Sequence, residues 1–271
     1  GWIGRSLVRR VPGAVLSQAD IAEPAAVASA LDDAEPTHVV NAAGRTGRPN
    51  IDALEDAAAT TYRSNLVGPL VLAAACGRGD VHLTHLGSGC IYQGDAGGAG
   101  FREADPPNFQ GSLYARTKIL AEDALRDLDT LQLRIRLPMA SVPATRNLLT
   151  KLLVFDEVVS IANSITILDD FWLPALALIE RRAAGVWNMV NDGAERHDEL
   201  LGWWREHDDP EHAFGVITAD TLDARLAARR SNCLLSTAKL KAAGLAMPHV
   251  DEALPRLLHA YARNLREAAD A

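Results

Sequence analysis

Tyr114 and Lys118, in "YARTK", stand four residues apart, so on a helix both side chains project from one face. An ammonium beside a phenol stabilises the phenolate and draws its pKa down from about 10. Such a pair can pass a proton to a substrate oxygen. Ser88 closes the run "VHLTHLGS" ahead of that helix, where a hydroxyl can hydrogen-bond the same carbonyl oxygen. Asn65, on the helix before that run, brings an amide able to order backbone or water near the lysine.

Other reactive side chains form no comparable set. Cys76, Cys90 and Cys233 are odd in number and far apart, with no Cys-x-x-Cys spacing, which fits a reducing cytoplasm. His82 and His85 fall three apart on a strand and so point to opposite faces, which predicts no shared metal.

The elements that must carry these residues alternate. Strand-like runs "AVLS" (14–17), "HVVNAA" (38–43), "VHLTHLGS" (81–88) and "LQLRIRLP" (131–138) are separated by helical stretches from Pro24, through Leu72 and over 112–128. That order predicts a doubly wound parallel α/β sheet with helices on both faces, and continuous apolar runs suit strands buried on both sides. The opening "GWIGRSLVRR" has the form of the end of a phosphate-cradling turn and its helix, with Gly1 and Gly4 as the glycines. "GDAGGAG" (94–100) reads as a surface loop.

After about Pro138 the pattern loosens. Helices near 145–154 and 168–182, strands "VVSIAN" (158–163) and "GVWNMV" (185–190), and a terminal helix over 250–268 are expected. This predicts a dinucleotide-binding core over 1–140, with part of its sheet continuing later, and a mixed substrate lobe over 141–271. A lobe over the strand ends makes a cleft where open α/β sheets bind ligands.

Composition narrows the partners. The 271 residues carry a formal net charge of -8, with 48% apolar and 23% charged residues. Such acidity argues against nucleic acid or an anionic membrane as the main partner, and no run reaches the roughly 18 apolar residues a membrane span needs. "ARRSN" (228–232) is a local basic exception suited to one anionic ligand.

The Ser88, Asn65, Tyr114 and Lys118 set resembles the catalytic set of the extended short-chain dehydrogenase/reductases. "PTHVVNAAGRTGRPNID" (36–52), "GSGCIY" (87–92), "FREADPPNFQGSLYARTK" (101–118), "RNLLTK" (146–151), "NSITILDD" (163–170) and "RSN" with "TAKLK" (230–241) are similar to the bifunctional epimerase/reductases of nucleotide-linked rhamnose synthesis, including the C-terminal part of plant rhamnose synthases. The resemblance implies a Rossmann-like fold, NADPH or NADH as cofactor, and a UDP- or dTDP-linked 4-keto-6-deoxyglucose as substrate, epimerised at C3 and C5 and reduced at C4. A homodimer is compatible with it.

Carried over by motif, Ser88, Tyr114 and Lys118 serve reduction, and Cys90 and Lys151 form the acid/base pair of epimerisation. An α-proton leaves readily when the enolate oxygen is held, which Ser88 and Tyr114 can do. A thiol beside a cation can be the base and a buried lysine the acid, though the sequence leaves the assignment of the two open. The resemblance also implies cofactor contacts at Gly1, Ile3, Gly4, Asp20, Ile21, Ala42, Ala43, Gly44, Asn65, Tyr114, Lys118 and Leu137. Arg48, Asn50, Asn108, Asn147 and Arg230 are implied on the substrate side, Arg230 for the diphosphate.

The family's glycine motif follows a central strand, and "GWIG" matches only its last two glycines. The expectation is a strand ahead of Gly1, belonging to a longer natural chain or replaced by another segment. Two rival readings stand beside the main one: a non-catalytic subunit on a reductase fold, and a 4-ketoreductase without epimerase activity.

Overall fold

In the computed structural model, which describes residues 1–269, helices α1 (Trp2–Val8) and α2 (Pro24–Ala34) precede the first strand, β1 (His38–Asn41). A 3-10 turn over 51–57 leads into one continuous helix made of α3 (Ala58–Tyr62), a π-helical turn (Arg63–Val67) and α4 (Gly68–Arg78). Strand β2 (His82–Ser88), helix α5 (Leu113–Ala124), strands β3 (Thr130–Ile135) and β4 (Pro138–Met139), and helix α6 (Leu148–Leu152) follow. Next come β5 (Glu157–Val159), β6 (Thr166–Ile167), α7 (Leu168–Glu180), β7 (Gly185–Asn188) and α8 (His197–His207). The chain continues through β8 (Gly215–Ile217), α9 (Ala219–Asp223), α10 (Ala238–Ala242) and α11 (Val250–Ala269).

The main sheet is parallel, in the order β1-β2-β3-β7. Every residue of β2 is buried, as a strand with neighbours on both sides and helices on both faces must be. One face packs Leu83 and Val39 against Val27 of α2, Leu72 and Cys76 of α4 and Leu125 after α5. The other packs Leu86, Leu131 and Leu133 against Phe171, Trp172 and Ala175 of α7, with Trp2, Ile3 and Leu7 of α1. The Trp172 indole donates to Ser6 Oγ at 2.9 Å, tying α1 to α7. This is the doubly wound Rossmann-like arrangement.

The second half builds its own core from Leu149 and Leu152 of α6, Leu200 and Trp204 of α8 and Leu257 and Tyr261 of α11. Strand β7 nevertheless belongs to the main sheet. Among the described residues, no helix is long and apolar enough to cross a membrane.

One predicted strand is absent. Residues 14–17 form no strand, and Val15 is 76% exposed. A run of β-formers becomes a strand only where a neighbouring backbone completes its ladder; β1 is the edge of the sheet, and no described strand lies between it and this run. The predicted strands over 158–163 and 185–190 shorten to β5 and β7. Helix α5 ends at Ala124, short of residue 128.

Candidate active site

Parallel strands deliver their C-terminal ends to one edge. Asn41 ends β1, Ser88 ends β2, and Ile135 ends β3 with Arg136 directly after it. Helix α5 starts beside this edge because the Ser112 hydroxyl caps it, accepting from the Ala115 N–H at 3.1 Å. Tyr114 therefore lies in the first turn and Lys118 one turn on. The Lys118 ammonium donates to the Leu86 carbonyl at 3.0 Å. Burial pushes its pKa down to about 8, with the neighbouring Cys90 and Glu122 acting against the shift.

The Ser88 hydroxyl accepts from the Cys90 N–H at 3.1 Å. Burial raises the Tyr114 phenol pKa, the adjacent Cys90 adds to the rise, and the Ser88 hydroxyl and the Arg136 charge oppose it. Tyr114 thus keeps its proton through the neutral range while Lys118 approaches deprotonation near pH 8. Lys118 is not among the groups that shift the phenol, so the lowering expected of a neighbouring ammonium is outweighed by burial. A protonated phenol near Ser88 is what protonating a carbonyl-derived alkoxide requires.

Cys90 faces a residue that sequence reasoning missed. The Arg136 guanidinium donates to Cys90 Sγ at 2.8 Å, to Asn163 Oδ1 at 2.6 Å and to the Ser231 carbonyl. The available signal was two arginines, Arg134 and Arg136, in a run otherwise read as buried strand. Arg134 is matched by a carboxylate: its Nε and Nη2 each lie 2.7 Å from Glu122. Burial in the sheet demands such a partner.

Asn65 sits in the π turn, 1% exposed. Its Oδ1 accepts from the Arg45 N–H at 2.7 Å, and its Nδ2 donates to the Arg45 carbonyl at 3.0 Å and to Thr117 Oγ1 at 3.2 Å. The amide thereby clamps the loop after β1 onto α5. A Cβ at Gly44 would stand 3.3 Å from Asn65 Oδ1 and 4.0 Å from Lys118 Nζ, so bare backbone rests beside the ammonium. The Ala43 N–H is held by Asn41 Oδ1 at 3.0 Å. Small residues, a phenol and an ammonium in this arrangement fit the nicotinamide end of a dinucleotide. Gly1 and Gly4 lie over the same strand end, a Cβ at Gly4 falling 3.6 Å from that of Ala42.

The other residues implied as cofactor contacts have these neighbours within the chain. Ile3 packs into the core under α7. Ile21 packs over Gly68, where an added Cβ would come within 2.6 Å of it. Asp20 pairs with Arg63 at 2.7 Å, and that bond lowers its pKa. Leu137 has φ of 41° and packs against the core of the second half.

Three of the residues implied on the substrate side make their bonds within the chain. Asn147 is fully buried: it caps α6 through the Leu149 N–H at 3.2 Å and donates to Ala140 O at 2.7 Å and Val142 O at 3.0 Å. Asn108 closes a turn onto Gln93, accepting from its N–H at 2.8 Å and donating to its carbonyl at 3.0 Å. Arg230 is paired with Asp52 at 2.8 Å, which lowers the Asp52 pKa. Loop asparagines and arginines satisfy their own backbone and neighbours as readily as a ligand, and sequence does not separate the two. Asn50 caps the 3-10 turn through the Asp52 N–H at 2.8 Å.

Arg48 and Lys151 belong to a cationic group with Arg146, which sequence reasoning also missed. Arg146 donates to Thr46 Oγ1 at 2.8 Å and Gly47 O at 2.7 Å. Burial and the charge of Arg48 lower its pKa, and burial and the charge of Arg146 lower that of Lys151. Among the described residues none of the three has a carboxylate partner within 4.0 Å.

Residues 5–170 match the family described as RmlD substrate binding domain. A trifunctional UDP-glucose 4,6-dehydratase/UDP-4-keto-6-deoxy-D-glucose 3,5-epimerase/UDP-4-keto-L-rhamnose-reductase of Arabidopsis thaliana is 38% identical over 75% of this chain. The chain spans 32% of that relative's length. A bifunctional dTDP-4-dehydrorhamnose 3,5-epimerase/dTDP-4-dehydrorhamnose reductase of the same plant is 38% identical, over 75% of this chain and 70% of its own. The crystal structure of the L780 UDP-rhamnose synthase from Acanthamoeba polyphaga mimivirus superposes with a TM-score of 0.91 at 32% identity, over 96% of both chains. A dTDP-4-dehydrorhamnose reductase from Bacillus anthracis, solved in complex with NADP, shares the fold at a TM-score of 0.82 and 18% identity, over 95% of this chain and 94% of its own.

Proposed function

The chain belongs to the RmlD substrate-binding-domain family, and we propose that it reduces the C4 ketone of a nucleoside-diphospho-4-keto-6-deoxy sugar after exchanging the protons at C3 and C5. The observation that carries this reading is the meeting of Ser88, Tyr114, Lys118 and Cys90 at the end of β2. The names of the 38% identical plant relatives, which include both epimerase and reductase, support it. Five groups able to do chemistry, Lys151 among them, argue against a retired, non-catalytic fold.

Bound NADPH or NADH would supply hydride, held by the Ala42–Gly44 backbone, Tyr114 and Lys118. Residues 1–140 form the cofactor core in this reading and 141–271 the substrate lobe. Tyr114 gives its proton to the C4 oxygen as the ketone is reduced, Ser88 orients that oxygen, and Lys118 stabilises the phenolate left behind. In the earlier stage the same two hydroxyls hold the enolate oxygen while Cys90 and Lys151 move protons on opposite faces. Arg48, Arg146 and Lys151, which have no carboxylate partner among the described residues, offer positive charge for the diphosphate beside Arg230.

The test is incubation with UDP- or dTDP-4-keto-6-deoxyglucose and reduced nicotinamide in D2O, with the product identified by NMR. A rhamnose product bearing deuterium at C3 and C5 supports both activities; reduction without deuterium leaves a reductase alone; no turnover overturns the reading. Cys90→Ala is expected to cut deuterium uptake by about 100-fold or more. Undiminished uptake removes Cys90 from the mechanism.

The pH dependence follows from Lys118. Its folded-state pKa is depressed to about 8, so the ammonium that supports Tyr114 is present below that pH and lost above it. We expect kcat/KM for reduction to be level from pH 6 to 7 and to fall about tenfold per unit above pH 8. A profile that rises through this window would exclude the charged lysine from the role.

A further inference from the structure

We propose that Arg136 is the counter-ion of Cys90, holding it as a thiolate, so that Cys90 removes the substrate proton and Lys151 returns one. The proposal rests on the preceding reading only in that Cys90 acts on substrate; the ion pair itself does not.

Arg136 is 2% exposed, and a guanidinium stays charged in any protein environment. Burial of such a charge is costly unless an anion neutralises it. Arg134, two residues earlier, has Glu122 for this purpose. Arg136 has no carboxylate among the described residues; its Nη2 reaches only the neutral oxygens of Asn163 and Ser231, and its Nε has no partner. What it does have is Cys90 Sγ at 2.8 Å from Nη1, a short approach for nitrogen to sulfur.

Four titratable or charged groups surround Cys90. Tyr114 and Lys118 face it from α5, Arg136 from the end of β3, and Cys233 from the segment that bridges to Gly94. Two of these are cations when protonated. Cys233 uses its own S–H toward the Gly89 carbonyl at 3.2 Å, and burial disfavours its ionisation. Tyr114 is likewise held protonated. Cys90 is only partly buried, so a substrate can reach a sulfur whose charge is balanced from behind.

The proton account closes without another reactant. The Cys90 thiol first loses its proton to water when the pair forms. The thiolate then takes the proton from the carbon beside the C4 ketone, and the C–H electron pair moves into the enolate whose oxygen Ser88 and Tyr114 hold. The Lys151 ammonium delivers a proton to the opposite face as the enolate returns to ketone. Thiol and amine are restored by exchange with solvent before the second centre is processed.

The experiment is iodoacetamide alkylation of the intact chain from pH 5.5 to 9.5, with Cys90 modification quantified by peptide mass and buried Cys76 as internal reference. In the unmodified protein Cys90 is expected to react near its plateau rate at pH 7. Arg136→Met is expected to slow that rate by about tenfold at pH 7 and to recover it at high pH, and Arg136→Lys to retain most of it. Superimposable profiles for the parent chain and Arg136→Met overturn the proposal. Should Arg136→Met fail to fold, the parent profile decides alone: a rate still climbing through about pH 8.5, as for a free thiol, overturns it. Failure of the Cys90→Ala deuterium test with an intact alkylation profile would refute the role of Cys90 in epimerisation and leave the ion pair standing.

Discussion

Tyr114→Phe is expected to slow C4 reduction by about 10²- to 10⁴-fold, the range a positioned general acid contributes. The ring stays, so the packing of the first turn of α5 is kept and only the proton donor is lost. Burial holds the phenol protonated through neutral pH, which makes it the acid in waiting. Stopped-flow decay of reduced-nicotinamide absorbance under single-turnover conditions reads this step directly. Cofactor affinity, followed by fluorescence, is expected to change by less than about tenfold, because the Gly44 backbone and Lys118 are untouched. A rate loss below about fivefold would mean that Ser88 or water protonates the alkoxide instead.

Glu122→Ala is expected to destabilise the fold by about 3–5 kcal/mol, the cost of leaving one member of a buried ion pair unpaired. Glu122 and Arg134 are 6% and 1% exposed at their side chains, and the carboxylate takes two bonds of 2.7 Å from one guanidinium. Arg134 also lies over the Tyr92 ring at 5.2 Å and donates to Asn188 Oδ1 at 3.3 Å and the Glu103 carbonyl at 3.2 Å, so it joins β3, β7 and the loop before α5. Urea unfolding followed by circular dichroism measures the change. Restoring an apolar pair, Glu122→Leu with Arg134→Met, is expected to recover most of it, since a buried pair is weak evidence of net stabilisation. A loss under about 1 kcal/mol for Glu122→Ala would show that water or Asn188 compensates the arginine.

These effects bear on what could be read before the structure. The α/β alternation was legible because strands buried on both faces must be continuous apolar runs, and β2 is wholly buried. Tyr114 and Lys118 were legible because four residues make a helical turn. Residues 14–17 misled because strand propensity carries no information about whether a partner backbone is present. The partners of Asn108, Asn147 and Arg230 within the chain were not legible for a related reason: a polar loop residue looks the same whether it binds its own backbone or a ligand. Arg136 was hidden because nothing local to "LQLRIRLP" names its partner. Its chemistry comes from Cys90, 46 residues away in sequence.

The π turn at 63–67 fixes something that no single side chain carries. Each residue advances an α-helix by about 100°, so a turn closed by i→i+5 bonds holds one residue more than its neighbours. The helix from Ala58 to Arg78 therefore changes phase at this point: α4 lies in the frame that packs on β2, α3 in the frame that meets α5, and Asn65 falls on the seam between them. The direction of its amide toward Arg45 is thus encoded in a residue count. Substitutions around Asn65 leave that count alone, whereas an insertion or deletion alters the bearing of one half against the other. In this helix, chain length is part of the active-site specification.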